Sequence, residues 1–177
     1  DQVEHFGNLR PSQRRPVNIH DSLDRARHSA SVGFGRHMTF LDDYDPSLPV
    51  GYADADQLQQ IFQNLLKNAA EAGKTGGQIT LRTFYDAGLR VTQADGTRVQ
   101  LPLQIEIIDN GPGLPASIAD HIFDPFVSGR ENGTGLGLAL VSKLIHDGGG
   151  WITVDSVPGR TAFRISLPLA PEHDGDA

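Results

Sequence analysis

The chain has 177 residues, a hydrophobic content of 38% and a formal net charge of −7. This length and apolar content suffice for one compact domain with a substantial core. The acidic balance argues against nucleic acid as a direct partner, because phosphate backbones attract basic surfaces. There is no cysteine, which excludes disulfides and thiolate chemistry and fits a reducing cytoplasm. No apolar run approaches the ~20 residues of a membrane-spanning helix, and no secretory signal pattern opens the chain.

The N-terminal fifteen residues end in a proline-bounded, polar run that breaks an incoming helix. Val3, Phe6 and Leu9 recur at intervals of three, as in the last turns of a helix. We interpret this stretch as the end of a helix from a preceding domain, followed by a linker. A short amphipathic cap on the main domain is the alternative. The predicted division is an N-terminal helix end and linker at 1–15, a main domain at 16–170 and an acidic disordered tail at 171–177.

The first predicted elements of the main domain are a short strand from Val17, a helix over about 21–32 and a strand over about 37–41. Asp21 followed by Asp24 suits a helix start, because carboxylates there meet free N–H groups. We therefore expect the helix to begin at Asp21.

A second helix is predicted over about 56–72, and its spacing places Asn64, Asn68 and Glu71 on one face. Two carboxamides and a carboxylate offer hard oxygens to Mg²⁺, which takes few protein ligands and completes its shell with water and phosphate oxygens. An ordinary amphipathic helix with a polar outer face explains the same spacing. The predicted buried side consists of Leu58, Ile61, Phe62, Leu65, Leu66 and Ala69.

Two long alternating segments, 78–85 and 97–109, follow this helix and predict strands. We expect Gly73 to end the helix in a left-handed conformation. The pair Asp95-Gly96 is a hairpin signal, and we expect it to join the two strands. The span 86–93 is interpreted as a mobile excursion.

Asp109 stands at the end of the second of these strands, before a loop that Gly111 and Gly113 shape. A carboxylate there can accept a hydrogen bond from an exocyclic amine such as that of adenine, and glycines let the backbone approach the base. A plain Asp-Asn-Gly turn is the alternative.

A glycine-rich run from Gly133 to Leu138 opens another apolar, helix-like stretch. Free N–H groups at such a helix start can bind phosphate, although a glycine pattern of this kind is a weak signal alone. Three glycines at 148–150 end the helix. Strands over about 151–155 and 162–167 are expected to pair across Pro158-Gly159.

Taken in order with Asp120-His121-Ile122-Phe123-Asp124-Pro125-Phe126, these segments resemble the N, G1, F and G2 boxes of sensor histidine kinases. The likeness covers about 16–169. It implies an α/β fold, a two-layer sandwich of a mixed sheet with three main helices. This is the Bergerat (GHKL) ATP-binding fold of gyrase, Hsp90 and MutL. The sequences of 126–135 and 158–163 look most like the nitrogen-regulation branch of the family.

The resemblance implies transfer of the γ-phosphoryl group of ATP to a histidine. It implies that Asn68 holds Mg²⁺ through its carboxamide oxygen, with Asn64 and Glu71 supporting the ion and its waters. Direct contact between Asn64 and the metal is left open. Asp109 would read adenine. The implied ATP-binding residues are Asn64, Lys67, Asn68, Glu71, Asp109, Gly111, Gly113, Phe123, Arg130, Gly133, Thr134, Gly135, Leu136 and Gly137, with Asn68, Asn64 and Arg130 as the catalytic ones.

The polar, glycine-rich segment between Phe126 and Gly135 is interpreted as a lid that orders over ATP. Phe123 and Phe126 can hinge and anchor it. The fork geometry of Arg130 suits phosphate oxygens, and a solvated loop arginine is the alternative. Lys67 is likewise either a phosphate contact or a solvent-exposed side chain. The resemblance favours phosphate contact for both Arg130 and Lys67.

None of the seven histidines is followed by the family's phosphoacceptor pattern. His121 lies near the cleft, and we expect a surface or helix-capping role for it. The resemblance therefore implies an acceptor on a dimerisation domain absent from this chain. It also implies a homodimeric, cytoplasmic full-length protein, with an NtrC-type response regulator and a PII signal protein as partners.

Three other functions share parts of this pattern. An independent GHKL ATPase usually has a carboxylate base at the position of Asn64, and an amide cannot act as that base. A Ser/Thr-directed kinase of the anti-sigma-factor type would share the ATP site and differ in its acceptor. A docking module regulated by nucleotide occupancy would bind ATP without turnover.

Overall fold

The structure is a computed structural model that describes residues 10–124 and 137–172. None of the helices in these two ranges is both long enough and apolar enough to cross a bilayer. The strands are β1 (Arg15–Val17), β2 (Thr39–Asp43), β3 (Gly51–Ala53), β4 (Gln78–Tyr85), β5 (Arg90–Thr92), β6 (Arg98–Gln100), β7 (Leu103–Asp109), β8 (Trp151–Val157) and β9 (Arg160–Leu167). The helices are α1 (Ile19–Val32), α2 (Ala55–Ala72), α3 (Ala116–Ala119) and α4 (Gly137–Asp147).

Five strands form the main sheet, in the spatial order β2-β4-β7-β9-β8. The β2–β4 pair is parallel and the other pairs are antiparallel, so the sheet is mixed. Two small antiparallel pairs, β1–β3 and β5–β6, lie outside it. In the centre, Asp109 at the end of β7 pairs with Ile79 and with Thr161.

Alternate residues of the central strands are buried under the helices, as period-two patterning requires. Ile79 and Leu81 of β4 and Ile105 and Ile107 of β7 share one core cluster with side chains of α1, α2 and α4. Helices on one face of a mixed sheet form a two-layer α/β sandwich. The fold class and the three main helices predicted from the sequence are confirmed.

The start of α1 differs from the prediction. Asn18 is the N-cap, and its side chain accepts a hydrogen bond from the Asp21 N–H at 3.0 Å. Asp21 therefore lies inside the first turn, where its charge still complements the free N–H groups. β2 begins at Thr39, later than expected, because His37 belongs to the preceding turn and its Nε2 lies 2.9 Å from the Ala70 carbonyl.

The hairpin signal is right, but its strands are not those predicted. Asp95-Gly96 turns the chain between β5 and β6, and Gly96 has a φ of 85°. The span 86–93 thus contains a strand of that hairpin. The predicted strand 97–109 breaks at Leu101-Pro102, since proline cannot donate a ladder hydrogen bond.

Gly73 is extended, with φ −88° and ψ 159°, so the prediction of a left-handed residue there is wrong. Its N–H donates to the carbonyls of Ala69 and Ala70 and ends α2. The left-handed conformation falls instead on Gly76, with φ 87°. The closing strands agree with the prediction: β8 and β9 pair across Pro158-Gly159, and Gly159 has a φ of 91°.

Candidate functional site

The apolar face of α2 packs in the core shared with the sheet, which fixes the direction of its polar face. All six residues predicted for the buried side are buried, including Phe62 and Leu65 at 0% exposure. On the same helix, Asn68 is buried, Asn64 is half-buried, and Lys67 and Glu71 are exposed. Of these four polar residues of the helix, Asn68 is therefore the most deeply buried.

The side chain of Asn64 is oriented by its own helix. Its Nδ2 donates to the Gln60 carbonyl at 2.8 Å. Its Oδ1 faces Gly137, the first described residue of α4, because a Cβ on that glycine would lie 3.7 Å from the oxygen. The structure thus brings the middle of α2 next to the start of α4, as the predicted site requires.

Asp109 is the most deeply buried acidic residue of the predicted site, at 3% exposure. Its Oδ1 accepts a hydrogen bond from the Gly111 N–H at 2.9 Å. Burial raises the pKa of this carboxyl, and the Gly111 hydrogen bond offsets only part of that effect. A carboxylate held in this way gains from a further donor, such as an exocyclic amine.

Gly111 lies where the loop after β7 meets the end of α2. A Cβ there would approach Asp109 Oδ1 to 2.9 Å and the Ala72 carbonyl oxygen to 3.1 Å. The Gly111 carbonyl accepts a hydrogen bond from the Gly159 N–H. Asn110, which sequence reasoning passed over, accepts from the Gln78 N–H at 2.9 Å and fixes the same loop to β4.

Gly113 has a φ of 90°, and a Cβ on it would lie 2.9 Å from the Val157 carbonyl oxygen. Its conformation and its space both require glycine. The contact is with the end of β8 and the β8–β9 turn, so the loop that follows Asp109 rests on that hairpin. The Leu114 N–H adds a hydrogen bond to Ser156 Oγ at 2.8 Å.

Phe123 is half-buried, and its ring packs against the buried Phe163 ring in a T-shaped arrangement at a centroid distance of 6.1 Å. This contact ties the segment after α3 to the sheet. His121 is exposed and lies 3.3 Å from Asp124, in keeping with the expected surface role. The other predicted lid and phosphate residues lie outside the described residues: Phe126, Arg130, Gly133, Thr134, Gly135 and Leu136.

The donor set fits Mg²⁺ bound together with a nucleotide. Asn68 and Asn64 offer carboxamide oxygens, and Mg²⁺ is usually held by one or two protein ligands plus phosphates and water. Within 10–124 and 137–172, no group of three or more His, Cys, Asp or Glu side chains could hold a metal ion. The site thus has two amide side chains on α2 and, at the end of β7, one buried carboxylate.

Sequence comparison shows what kind of domain has this geometry. A family model described as histidine kinase-, DNA gyrase B- and HSP90-like ATPase matches residues 53–171. The sensory histidine kinase/phosphatase NtrB of Rhodobacter capsulatus is 67% identical over 172 residues, covering 97% of this chain and 48% of that protein. The chain thus spans about half the length of this curated relative.

Solved structures show the same fold. The full-length ShkA in complex with AMPPNP aligns with a TM-score of 0.77 and 26% identity, covering 97% of this chain and 35% of that one. The mycobacterial sensor histidine kinase MprB aligns with a TM-score of 0.71 and 24% identity, covering 89% of this chain and 100% of that one. The chain belongs to the family of histidine kinase-, DNA gyrase B- and HSP90-like ATPases, of which it is an NtrB-like histidine kinase ATP-binding domain.

Proposed function

We propose that this domain binds Mg·ATP and donates the γ-phosphoryl group to a histidine on a dimerisation domain of the intact protein. The observation that carries the proposal is the buried Asp109 carboxylate, which lies at a strand end beside the helix of Asn64 and Asn68. Burial raises its pKa, and an adenine amino group would supply the donor that compensates its desolvation.

Asn68 is proposed to hold Mg²⁺ through its carboxamide oxygen, with Asn64 and the exposed Glu71 supporting the ion's waters. Bound Mg²⁺ supplies charge neutralisation at the phosphates. Lys67 is exposed one position before Asn68 and is proposed to contact the phosphate chain. Gly137, which opens α4 opposite Asn64, is proposed to present its N–H to phosphate.

The remaining assignments rest on the sequence resemblance. Arg130 and Thr134 are proposed to contact the phosphates, and Gly133, Gly135 and Leu136 to form the end of the lid. Phe123, which makes a T-shaped contact with Phe163, is proposed to anchor the start of the lid. Phosphoryl transfer needs mainly positioning and charge stabilisation from the protein, which is what these residues would provide.

The intact protein is proposed to be a cytoplasmic homodimer that relays phosphate to an NtrC-type response regulator and responds to a PII signal protein. Support comes from the 67% identity to an NtrB named as both kinase and phosphatase. The kinase activity would place phosphate on the acceptor histidine, and the phosphatase activity would remove it from the regulator. The complex of ShkA with AMPPNP supports nucleotide binding by this fold.

Incubation with ATP labelled in its γ-phosphate tests this proposal. We expect acid-labile, base-stable label on a separately supplied NtrB-type phosphoacceptor domain, and only when Mg²⁺ and this chain are present. Rapid release of free phosphate by the chain alone would favour an independent ATPase instead. Label on a serine or threonine would favour the kinase of the anti-sigma-factor type, and binding without any turnover would favour a docking module.

A further inference from the structure

The N-terminal segment 10–14 is bound to the ATP-binding domain through a buried carboxylate. The side chain of Asp54 is 4% exposed, and its two oxygens face the Arg10 guanidinium, with Arg10 Nη2 to Asp54 Oδ1 at 2.9 Å. The Gln13 N–H donates to Asp54 Oδ2 at 2.9 Å. Gln57 Nε2 donates to the Arg10 carbonyl at 3.2 Å. A fork-to-carboxylate pair of this kind fixes direction as well as distance.

Asp54 is also the N-cap of α2. Its Oδ1 accepts the N–H groups of Asp56 and Gln57, each at 3.1 Å. One carboxylate thus joins the start of the helix that carries Asn68 to the segment that precedes the domain. The Arg10 hydrogen bond holds the pKa of Asp54 well below its usual range, so the pair is charged at neutral pH.

The same segment reaches the far end of α4. Arg14 Nη1 donates to the Gly148 carbonyl at 3.4 Å, and the Arg14 guanidinium lies 5.3 Å from the centre of the Tyr52 ring. A Cβ on Gly149 would meet Arg14 Nη1, so the guanidinium occupies the space that this glycine leaves. Segment 10–14 therefore bridges the N-cap of α2 and Gly148, the residue that follows α4.

These two helix ends lie opposite the candidate nucleotide site. From Asp54 to Asn64, and from Gly137 to Asp147, each helix advances ten residues, which is about 15 Å at 1.5 Å per residue. Because Asn64 faces Gly137 while Asp54 and Gly148 both contact segment 10–14, the two helices run antiparallel, with the site at one end and segment 10–14 at the other. The segment contacts both helices without entering the site.

We propose that Arg10 and Asp54 are positioning residues for phosphoryl transfer. Their ion pair, together with the contact of Arg14 to Gly148, fixes segment 10–14 across α2 and α4. This sets the direction in which the upstream chain leaves the ATP-binding domain, and so the approach of the acceptor histidine to bound ATP. The claim that this segment positions phosphoryl transfer rests on the proposed function. The claim that the segment is fixed on the domain does not.

Two variants break the pair while sparing the helix start. Asp54→Asn keeps a side-chain oxygen for the cap, since asparagine caps helices as well as aspartate does, but removes the charge. Arg10→Gln removes the guanidinium fork, and Arg10→Lys keeps only its charge. Arg36→Ala, on the exposed side chain of a distant arginine, is the matched control.

Hydrogen exchange of the Gln13 amide in this 177-residue chain tests the fixed segment. We expect Asp54→Asn and Arg10→Gln each to speed exchange at least about tenfold, and the double variant to add less than twofold, because both remove one interaction. Arg36→Ala should leave it unchanged. Exchange equal to that of the unmodified chain in both single variants would overturn the fixed segment and the proposal with it.

Phosphorylation of the intact kinase at saturating ATP tests the positioning. We expect kcat to fall about tenfold in Arg10→Gln and Asp54→Asn with KM for ATP within about twofold, since displacement of reacting groups lowers the rate of transfer. Arg10→Lys should recover part of the rate. Unchanged kcat, or a raised KM alone, would overturn the positioning role. An unmodified kinase that labels no histidine would instead overturn the proposed function, and amide exchange would still decide whether the segment is fixed.

Discussion

Two buried carboxylates near opposite ends of α2 show how burial can serve structure or binding. Asp54 and Asp109 are 5% and 3% exposed, yet the pKa of the first is lowered and that of the second is raised. Asp54 accepts from Arg10, from Gln13 and from two N–H groups of α2. Within the described residues, Asp109 accepts from the Gly111 N–H.

The difference follows from how each charge is compensated. A buried carboxylate surrounded by donors stabilises the fold, whereas one with few donors costs free energy that a ligand can repay. Poorly compensated titratable groups in a cleft are therefore candidates for binding sites. Asp54 belongs to the first class and Asp109 to the second. Variants of the two residues should therefore differ in ligand binding and in stability.

Asn68→Ala should have a larger effect than a variant of either carboxylate, because Asn68 is proposed to hold the metal. We expect phosphoryl transfer to fall at least about 100-fold, the typical cost of losing a group that stabilises developing charge. Asn68→Asp should instead change the Mg²⁺ concentration required for nucleotide binding. Titration with a nucleotide analogue at several Mg²⁺ concentrations measures this, and an unchanged Mg²⁺ dependence in both variants would argue against the assignment.

Asp109→Asn should weaken ATP binding by about 10–100-fold, because a hydrogen bond to a charged group contributes about 1.5–3 kcal/mol. It should also raise Tm of the unliganded chain, since it removes a buried charge. Asp54→Asn should leave the affinity within about twofold, as it lies at the far end of α2. Calorimetric titration with ATP, compared with GTP for base selection, distinguishes the two. Equal affinities in both variants would remove the contrast.

Asp54→Ala should lower Tm by about 2–4 °C, because loss of an N-cap costs about 1 kcal/mol in a protein of this size. Asp54→Asn should lower it less, since the amide oxygen still accepts from the first turn of α2. Thermal unfolding followed by circular dichroism makes the comparison. A larger loss in Asp54→Asn than in Asp54→Ala would show that the cap is not the stabilising element.

The pH dependence of stability should have opposite signs at the two carboxylates. Asp54, with its lowered pKa, stabilises the fold fully above its unfolded pKa of about 3.9 and loses this contribution as pH falls toward its folded pKa. Asp109, with its raised pKa, imposes no penalty below about pH 3.9 and an increasing one as pH rises through its folded pKa. Tm measured across pH for Asp54→Asn and Asp109→Asn should show each slope removed separately.

Most regular elements could be predicted because their signals are local. The 3.6-residue periodicity of α2 gave its buried face, and strict alternation gave the bounds of β4. The errors arose where distant contacts decided. Gly73 is extended, and it lies against the Met38 side chain, which a Cβ on this glycine would approach to 2.5 Å. The turn before β2 includes His37 because that side chain reaches α2.

The sequence indicates that Asp54 caps a helix, but it does not indicate the pairing of Asp54 with Arg10. Asp54 followed three residues later by Gln57 is typical of a capped helix start. The sequence does not show that the same carboxylate also binds an arginine 44 residues earlier. In the structure, Gln57 donates to the Arg10 carbonyl, so a local capping pattern became a long-range contact.

The sequence by itself determined the family, the order of its motifs and the helix face that carries Asn64 and Asn68, because these depend on spacing along the chain. Only the tertiary structure decided the difference between Asp54 and Asp109. Both are acidic residues at the ends of regular elements, and nothing in their neighbouring residues gives their pKa shifts. Those shifts depend on how many donors the folded chain brings to each buried carboxylate.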